Sequence, residues 1–286
     1  MGLRRYFRSK RKHPKEKHVK VGDYFLLSNY AHPIEDYLNQ FKYYSRNLPR
    51  IAKYLETKYS NYTIIDVGAN IGDTIALFRS ERVNQLIHAV EGDPVYIDLL
   101  IHNLSLFKNV EVHKTFLGEI TKEEKIIIDN TRGTANIITG EGDTVSVVKL
   151  DDLVNQSRIE NIKLLKTDTD GFDFKILRGA FDTIKKNKPV LFFEYDAGCL
   201  TQQNDDGLTI FKDFLNLGYN KALYYDNYGK FLLSVEITNT DLLAQLYAYV
   251  SKKEDAAFPY YDVCLFHQDD NELADFCVKR EMEFYT

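Results

Sequence analysis

The sequence predicts an α/β protein built on a doubly wound, mostly parallel sheet with helices on both faces. Three observations predict it. Nearly continuous apolar runs at Thr63–Val67, 86–90, Ile162–Thr167 and Val190–Tyr195 read as strands buried on both sides. Stretches of helical periodicity separate them, and right-handed crossovers then wind the chain over both faces. The first strand runs through Asp66, Gly68, Asn70 and Gly72 into Asp73, an acid followed by a glycine turn that opens a helix. That is the layout of a nucleotide crevice at the carboxyl edge of a parallel sheet.

The elements follow in order. Residues 1–20 carry nine Lys or Arg against Glu16 alone, a basic and flexible arm able to touch an anionic membrane surface. Residues 21–27 read as a short strand or a helical turn. Pro33 suits a first helical position, and Ile34, Tyr37, Leu38, Phe41, Tyr44 and Leu48 recur at helical spacing. Pro49 breaks or restarts that helix, so residues 21–59 form a helical extension before a domain at 60–286. Within the domain, the strand at 63–67 leads to a helix over 72–80, and the strand at 86–90 to a helix from Pro94 to about Leu106. A strand over 110–116 precedes a hairpin-like insertion, with strands at 125–129 and 144–150 around a polar loop at 130–142. The sheet resumes at 162–167, followed by one helix over 172–186 and the strand at 190–195. Beyond Gly207 a helix ends at Gly218. Strands at 221–225 and 231–236 bracket Asn227-Tyr228-Gly229, a hairpin signal. A helix at 241–250 and a strand at 262–267 close the pattern.

At 286 residues the chain is long enough for one substantial α/β domain with an appendage, or for two small domains. Its net charge of −5 argues against nucleic acid as partner. No apolar core follows the arm, as a secretory signal needs, and no stretch reaches the ~18 apolar residues of a membrane span. Cys199, Cys264 and Cys277 lack metal spacing and read as free thiols, which points to the cytoplasm.

The glycine loop narrows the ligand. A dinucleotide fingerprint has a third glycine and sets pyrophosphate on the helix start. Here that position would face Asp66 and Asp73, like charge against like. A cationic, phosphate-free ligand gains from the same acids, which favours S-adenosylmethionine over NAD. Glu91, at the tip of the second strand, is placed to accept both hydroxyls of a ribose.

A second constellation, Lys166-Thr167-Asp168-Thr169-Asp170-Gly171-Phe172-Asp173, lies where another strand becomes a helix. Asp173 suits a helix N-terminus. Asp168 lies at the strand end itself. Glu194 ends the next strand, within reach of a common centre with Asp168, and Asp196 shares its face. Such carboxylates can bind Mg²⁺, although acids gather at these edges for other reasons, so no metal is assigned.

On these residues the chain resembles the FkbM family of S-adenosylmethionine-dependent methyltransferases. The resemblance spans about residues 60–268. It rests on the loop at 66–72, on Glu91 with Asp93 and Pro94, and on Leu150-Asp151-Asp152-Leu153. It continues through 165–171 into Leu177-Arg178-Gly179-Ala180 and the strand at 189–194. Asp170 and Asp173 stand where the family pattern has two glutamates. The resemblance implies a Rossmann-like class I methyltransferase fold, with methyl transfer commonly to a hydroxyl of a sugar, glycan or natural product.

The expected roles follow. Gly68, Asn70, Gly72 and Asp93 line the cofactor, Glu91 holds the ribose, and Asp66 lies near the methionine ammonium. Asp168 is general base or acceptor-hydroxyl anchor, with Asp170 or Glu194 in support. His88 and His102 read as structural, and His113 and His267 as weak catalytic candidates. The loop at 131–136 is a candidate acceptor contact. Competing readings are a non-catalytic S-adenosylmethionine-binding scaffold and an NAD-dependent oxidoreductase.

Overall fold

Residues 16–129, 136–140, 142–252 and 256–285 are described by the computed structural model. The basic residues Arg4 to Lys15 and most of the loop at 131–136 lie outside them. The first element takes the strand alternative at 21–27 and adds a partner strand from the end of the expected arm. Strands β1 (Glu16–Val21) and β2 (Tyr24–Asn29) form an antiparallel hairpin. Val19, Val21 and Leu26 alternate inward and pack with Ile34, Leu77 and Tyr96. Strand β1 lies in basic sequence, so its period-two signal falls at the end of the stretch read as arm.

Helix α1 (Ile34–Gln40) is shorter than its periodicity predicts. The backbone turns extended at Phe41 and left-handed at Ser45 (φ 52°) before α2 (Asn47–Leu55) begins. Pro49 lies in the first turn of α2, where backbone N–H groups have no helical partner to lose.

The core then alternates as expected through β3 (Thr63–Val67), α3 (Asp73–Ser80), β4 (Leu86–Glu91), α4 (Pro94–Asn103) and β5 (Val110–Lys114). The chain leaves this sheet at Thr115. Strands β6 (Phe116–Gly118), β7 (Lys122–Asp129), β8 (Asn136–Thr139) and β9 (Asp143–Lys149) make a separate four-stranded sheet, in the order β6-β9-β7-β8. The insertion is thus a small sheet rather than a hairpin, although β7 and β9 do pair antiparallel.

Helix α5 (Leu150–Ser157) returns to β10 (Ile162–Thr167), α6 (Asp173–Arg178), α7 (Phe181–Asn187) and β11 (Val190–Tyr195). The single helix expected here breaks at Gly179. A Cβ there would lie 2.2 Å from the Gly118 carbonyl oxygen, so the inserted sheet packs against bare backbone. Helices α8 (Ala197–Gln202) and α9 (Thr209–Asn216) follow, then β12 (Tyr219–Asp226), β13 (Phe231–Glu236), α10 (Thr240–Ser251), β14 (Tyr261–His267) and α11 (Asn271–Phe284).

The main sheet has the order β13-β12-β14-β11-β10-β3-β4-β5. Strands β5, β4, β3, β10 and β11 are mutually parallel, and β14 enters antiparallel. From β3 the chain winds outward through β4 to β5, then restarts on the other side at β10. The switch point therefore lies between β3 and β10, where the carboxyl ends of an open sheet leave a crevice. Each face buries its own core: Ile65, Val90, Leu165 and Phe193 on one side, Ile64, Ala89, Leu164 and Phe192 on the other.

The two ends of the chain are tied across the second face. Arg50 of α2 donates through Nε and Nη2 to both oxygens of Glu281 of α11, at 2.8 and 2.6 Å. The Tyr285 hydroxyl accepts from Arg50, and the Arg50 guanidinium stacks on Phe284, 4.1 Å from its centroid. Both charges are buried. Removing one leaves the other without its counter-ion, which costs about 3–5 kcal/mol. Arg50→Met should lower unfolding free energy by about that amount in urea titration; a loss below about 1 kcal/mol would mean that the pair behaves as a solvated one.

Candidate active site

A cavity of about 610 Å³ opens at the switch point, a size suited to a cofactor and a small acceptor. Its floor is the glycine loop. Gly68 (φ 75°), Asn70 (φ 48°) and Gly72 (φ 88°) all take left-handed backbone. The Gly68 and Ala69 amides donate to the Val90 carbonyl at 3.0 and 3.1 Å, which pulls the loop across β4. A Cβ on Gly68 would stand 2.1 Å from the Asp168 carbonyl oxygen, so only glycine lets the two strand tips approach. Gly68 and Asn70 line the cavity. Gly72 does not; its space is closed by Leu100, and its part is the turn into α3.

Glu91 lies on the cavity wall as expected, and its carboxylate also organises the site. One oxygen accepts from the Gly92 and Asp93 amides at 2.8 Å each, the other from the Asn70 amide at 2.9 Å. Burial raises its pKa while these amides pull it back.

Asp66 and Asp93 depart from expectation. Asp66 is wholly buried and does not line the cavity. Its Oδ1 meets the Lys166 ammonium at 2.9 Å, as a charge contact, so its charge is spent inside the protein. Asp93 caps α4, its Oδ1 accepting from the Val95 amide at 2.7 Å, and it too lies off the cavity. The acid that does face the cavity at the loop is Asp73, in the first turn of α3.

Lys166 received no role in the sequence. Its buried Nζ donates to the carbonyls of Val67 (3.2 Å) and Gly68 (3.0 Å) and lies 3.7 Å from Asp168 Oδ2. Burial opposes the Lys166 charge, but Asp66 and Asp168 outweigh it and raise the pKa.

Asp168, Asp170 and Glu194 all line the cavity. They differ in surroundings. The Asp168 side chain is 55% exposed, with the Lys166 ammonium 3.7 Å away. Asp170 sits in left-handed backbone at φ 50°. Burial, then the charges of Asp168, Asp170, Asp173 and Asp196, push Glu194 well above the usual carboxylate range. Its surroundings thus favour the protonated form of Glu194. Asp173 is buried, off the cavity, and accepts from the Thr169 amide at 3.4 Å. Asp196 caps α8 through the Cys199 amide at 2.9 Å.

The N-terminal segment adds residues that sequence reasoning missed. His32, Tyr37 and Tyr44 line the cavity, as do Tyr96 and Tyr260. The Ile34 amide donates to His32 Nδ1 at 3.1 Å, which leaves the ring proton on Nε2, 3.1 Å from Asn70 Oδ1. Burial lowers the His32 pKa to about 4, so this latch stays neutral. Its only trace in the sequence is a histidine before a helix-opening proline. The inserted sheet forms another wall, with Lys122, Glu124, Ile126 and Ile137 facing the cavity.

Taken together, the switch-point crevice, the glycine loop and the acid at the tip of β4 define a Rossmann-like class I methyltransferase fold. Residues 66–221, more than half of the chain, match the methyltransferase FkbM domain, and the chain belongs to the FkbM methyltransferase family. Among solved structures, an FkbM methyltransferase from Methylobacillus flagellatus is 20% identical, with a TM-score of 0.42 over 57% of this chain and 40% of its own. This chain thus spans about two fifths of that protein's length. M. jannaschii TYW2, solved in complex with AdoMet, is 12% identical, with a TM-score of 0.42 over 89% of this chain and 87% of its own. A precorrin-6y C5,15-methyltransferase from Geobacter metallireducens is 14% identical, with a TM-score of 0.37 over 73% and 81%. No curated protein matches the chain in sequence.

The raised carboxyls set a pH dependence. Unfolded Asp titrates near ~3.9. In the fold, burial lifts Asp173 to about 6 and Asp262, beside Asn47, to about 7. The unfolded chain gives up these protons first, so the stability they contribute is full below about pH 4 and is lost as pH rises through those two values. Asp262→Asn should flatten the fall in melting temperature over that window. An unchanged slope would show that Asp262 is already ionised in the native protein.

Proposed function

We propose that the protein transfers a methyl group from S-adenosylmethionine to a hydroxyl of a sugar, glycan or related small-molecule acceptor. The observation that carries this reading is one crevice that joins the glycine loop and its lining acids, Asp73 and Glu91, to a solvent-accessible carboxylate, Asp168. The cradle suits a cationic ligand: Asp73 and Glu91 line it, and Lys166, the cation beside the loop, is already paired with Asp66. Gly68 and Asn70 would bear on the cofactor, Glu91 on its ribose hydroxyls and Asp73 on its ammonium.

When bound, S-adenosylmethionine supplies a methyl carbon on a positively charged sulfur, open to in-line attack. The chain's residues align the acceptor and take its proton, and alignment accounts for much of the rate. Asp168, 3.7 Å from the Lys166 ammonium, accepts the proton of the attacking hydroxyl. Glu194, protonated, donates a hydrogen bond to a neighbouring acceptor oxygen. Tyr37, Tyr44, Tyr96 and Tyr260 offer ring faces and hydroxyls to a polyhydroxylated ligand, which supports a sugar-like acceptor. The buried thiols of Cys264 and Cys277, which form no disulfide, support a cytoplasmic setting. No described helix is long and apolar enough to cross a membrane.

Incubation with S-adenosylmethionine and a panel of nucleotide sugars and glycans should give an acceptor heavier by one CH₂. On that acceptor, Asp168→Asn should lower kcat by about 10²–10⁴ and keep cofactor binding, whereas Glu91→Ala should abolish cofactor binding. Cofactor binding without turnover on any acceptor would identify a binding scaffold, and full turnover in Asp168→Asn would remove that residue from the reaction.

A further inference from the structure

A second set of ligating side chains stands outside the crevice, on the outer strand pair of the main sheet. Strand β5 is the edge strand, and its Glu111 lies opposite His88 of β4. His113, two residues beyond Glu111, shares the same face. His88 Nδ1 lies 2.9 Å from His113 Nε2 and 3.6 Å from Glu111 Oε2. One ligand atom from each of the three falls within 4.8 Å of the others, and among the described residues no other His, Cys, Asp or Glu set does so.

A hydrogen bond accounts for only half of this arrangement. A neutral His88 has one proton to give from Nδ1, yet that atom faces an imidazole nitrogen and a carboxylate at once. Ligand atoms on tetrahedral Zn²⁺, with bonds of about 2.0–2.1 Å, stand about 3.3 Å apart, and the two observed spacings straddle that value. The donor set of two imidazoles and a carboxylate suits Zn²⁺ and its transition-series neighbours, whereas Mg²⁺ and Ca²⁺ take oxygen ligands. The His88 side chain is 5% exposed and that of Glu111 60%, so the trio opens outward.

We propose that His88, Glu111 and His113 bind a divalent transition-metal ion of the Zn²⁺ type, which clips the edge strand β5 to β4. The clip has a direct structural reach. Strand β5 runs through Thr115 into residues 116–120, which form a wall of the crevice. An ion at its base stiffens that wall. The site shares no residue with the methyl-transfer machinery, so it stands or falls separately from that reading.

The test is calorimetric titration of tag-free, full-length protein with Zn²⁺ in chelator-free buffer, with melting temperature followed in parallel. Wild type should bind one equivalent and melt higher with Zn²⁺. Glu111→Gln, an exposed change that leaves the fold intact, should bind at least about tenfold more weakly, since even outer-shell losses cost that much. His113→Ala should lose the equivalent and the thermal shift. Absence of one-to-one binding in wild type overturns the proposal. So does equal zinc uptake by wild type and both variants, which would assign the ion to other side chains.

Discussion

One buried ammonium holds the crevice together. Lys166 Nζ neutralises Asp66, approaches Asp168 and donates to the carbonyls of Val67 and Gly68. Those partners belong to β3, to the loop between β3 and α3 and to the residue just beyond β10, the pieces that part company at the topological switch. Without that ammonium, Asp66 is an uncompensated charge between two core strands, a state that costs several kcal/mol. With it, the loop is fixed at its root, and the close approach of Gly68 to the Asp168 carbonyl becomes possible. The ion pair therefore belongs to the architecture of the site, and the ligand meets other acids.

The carboxylates around this centre divide by environment rather than by residue type. Asp168 is half exposed and next to a cation. Glu194, one strand away, is crowded by other acids, and burial with those charges raises its pKa. The tyrosines from the N-terminal segment and from the turn before β14 close the same cavity, and His32 secures that segment to Asn70.

Much of the fold was legible because buried parallel strands announce themselves as apolar runs. Thr63–Val67, Ile162–Thr167 and Val190–Tyr195 coincide with β3, β10 and β11. Elements that depend on distant partners were not legible. Helix α11 has a polar pattern whose meaning appears only when Glu281 meets Arg50 of α2. Helix α8 is six residues long and held by the Asp196 cap, and β1 hides in a basic stretch. The site shows the same divide. Gly68, Asn70, Glu91, Asp168, Asp170 and Glu194 were readable as groups at strand tips, and all reach the cavity. Asp66 and Asp93 looked equivalent to them, because a sequence shows an acid at a strand end without showing which buried ammonium or helix start has claimed it. Lys166 was overlooked for the complementary reason: inside an apolar strand its partners lie on other segments.

The central claim is that the crevice accepts a cationic or neutral adenosine ligand without phosphate. Calorimetric titration of the purified protein with S-adenosylhomocysteine and, separately, with NAD tests it most directly. The account predicts one saturable site for the thioether and no heat of binding for NAD. Saturable NAD binding together with silence toward S-adenosylhomocysteine would contradict it.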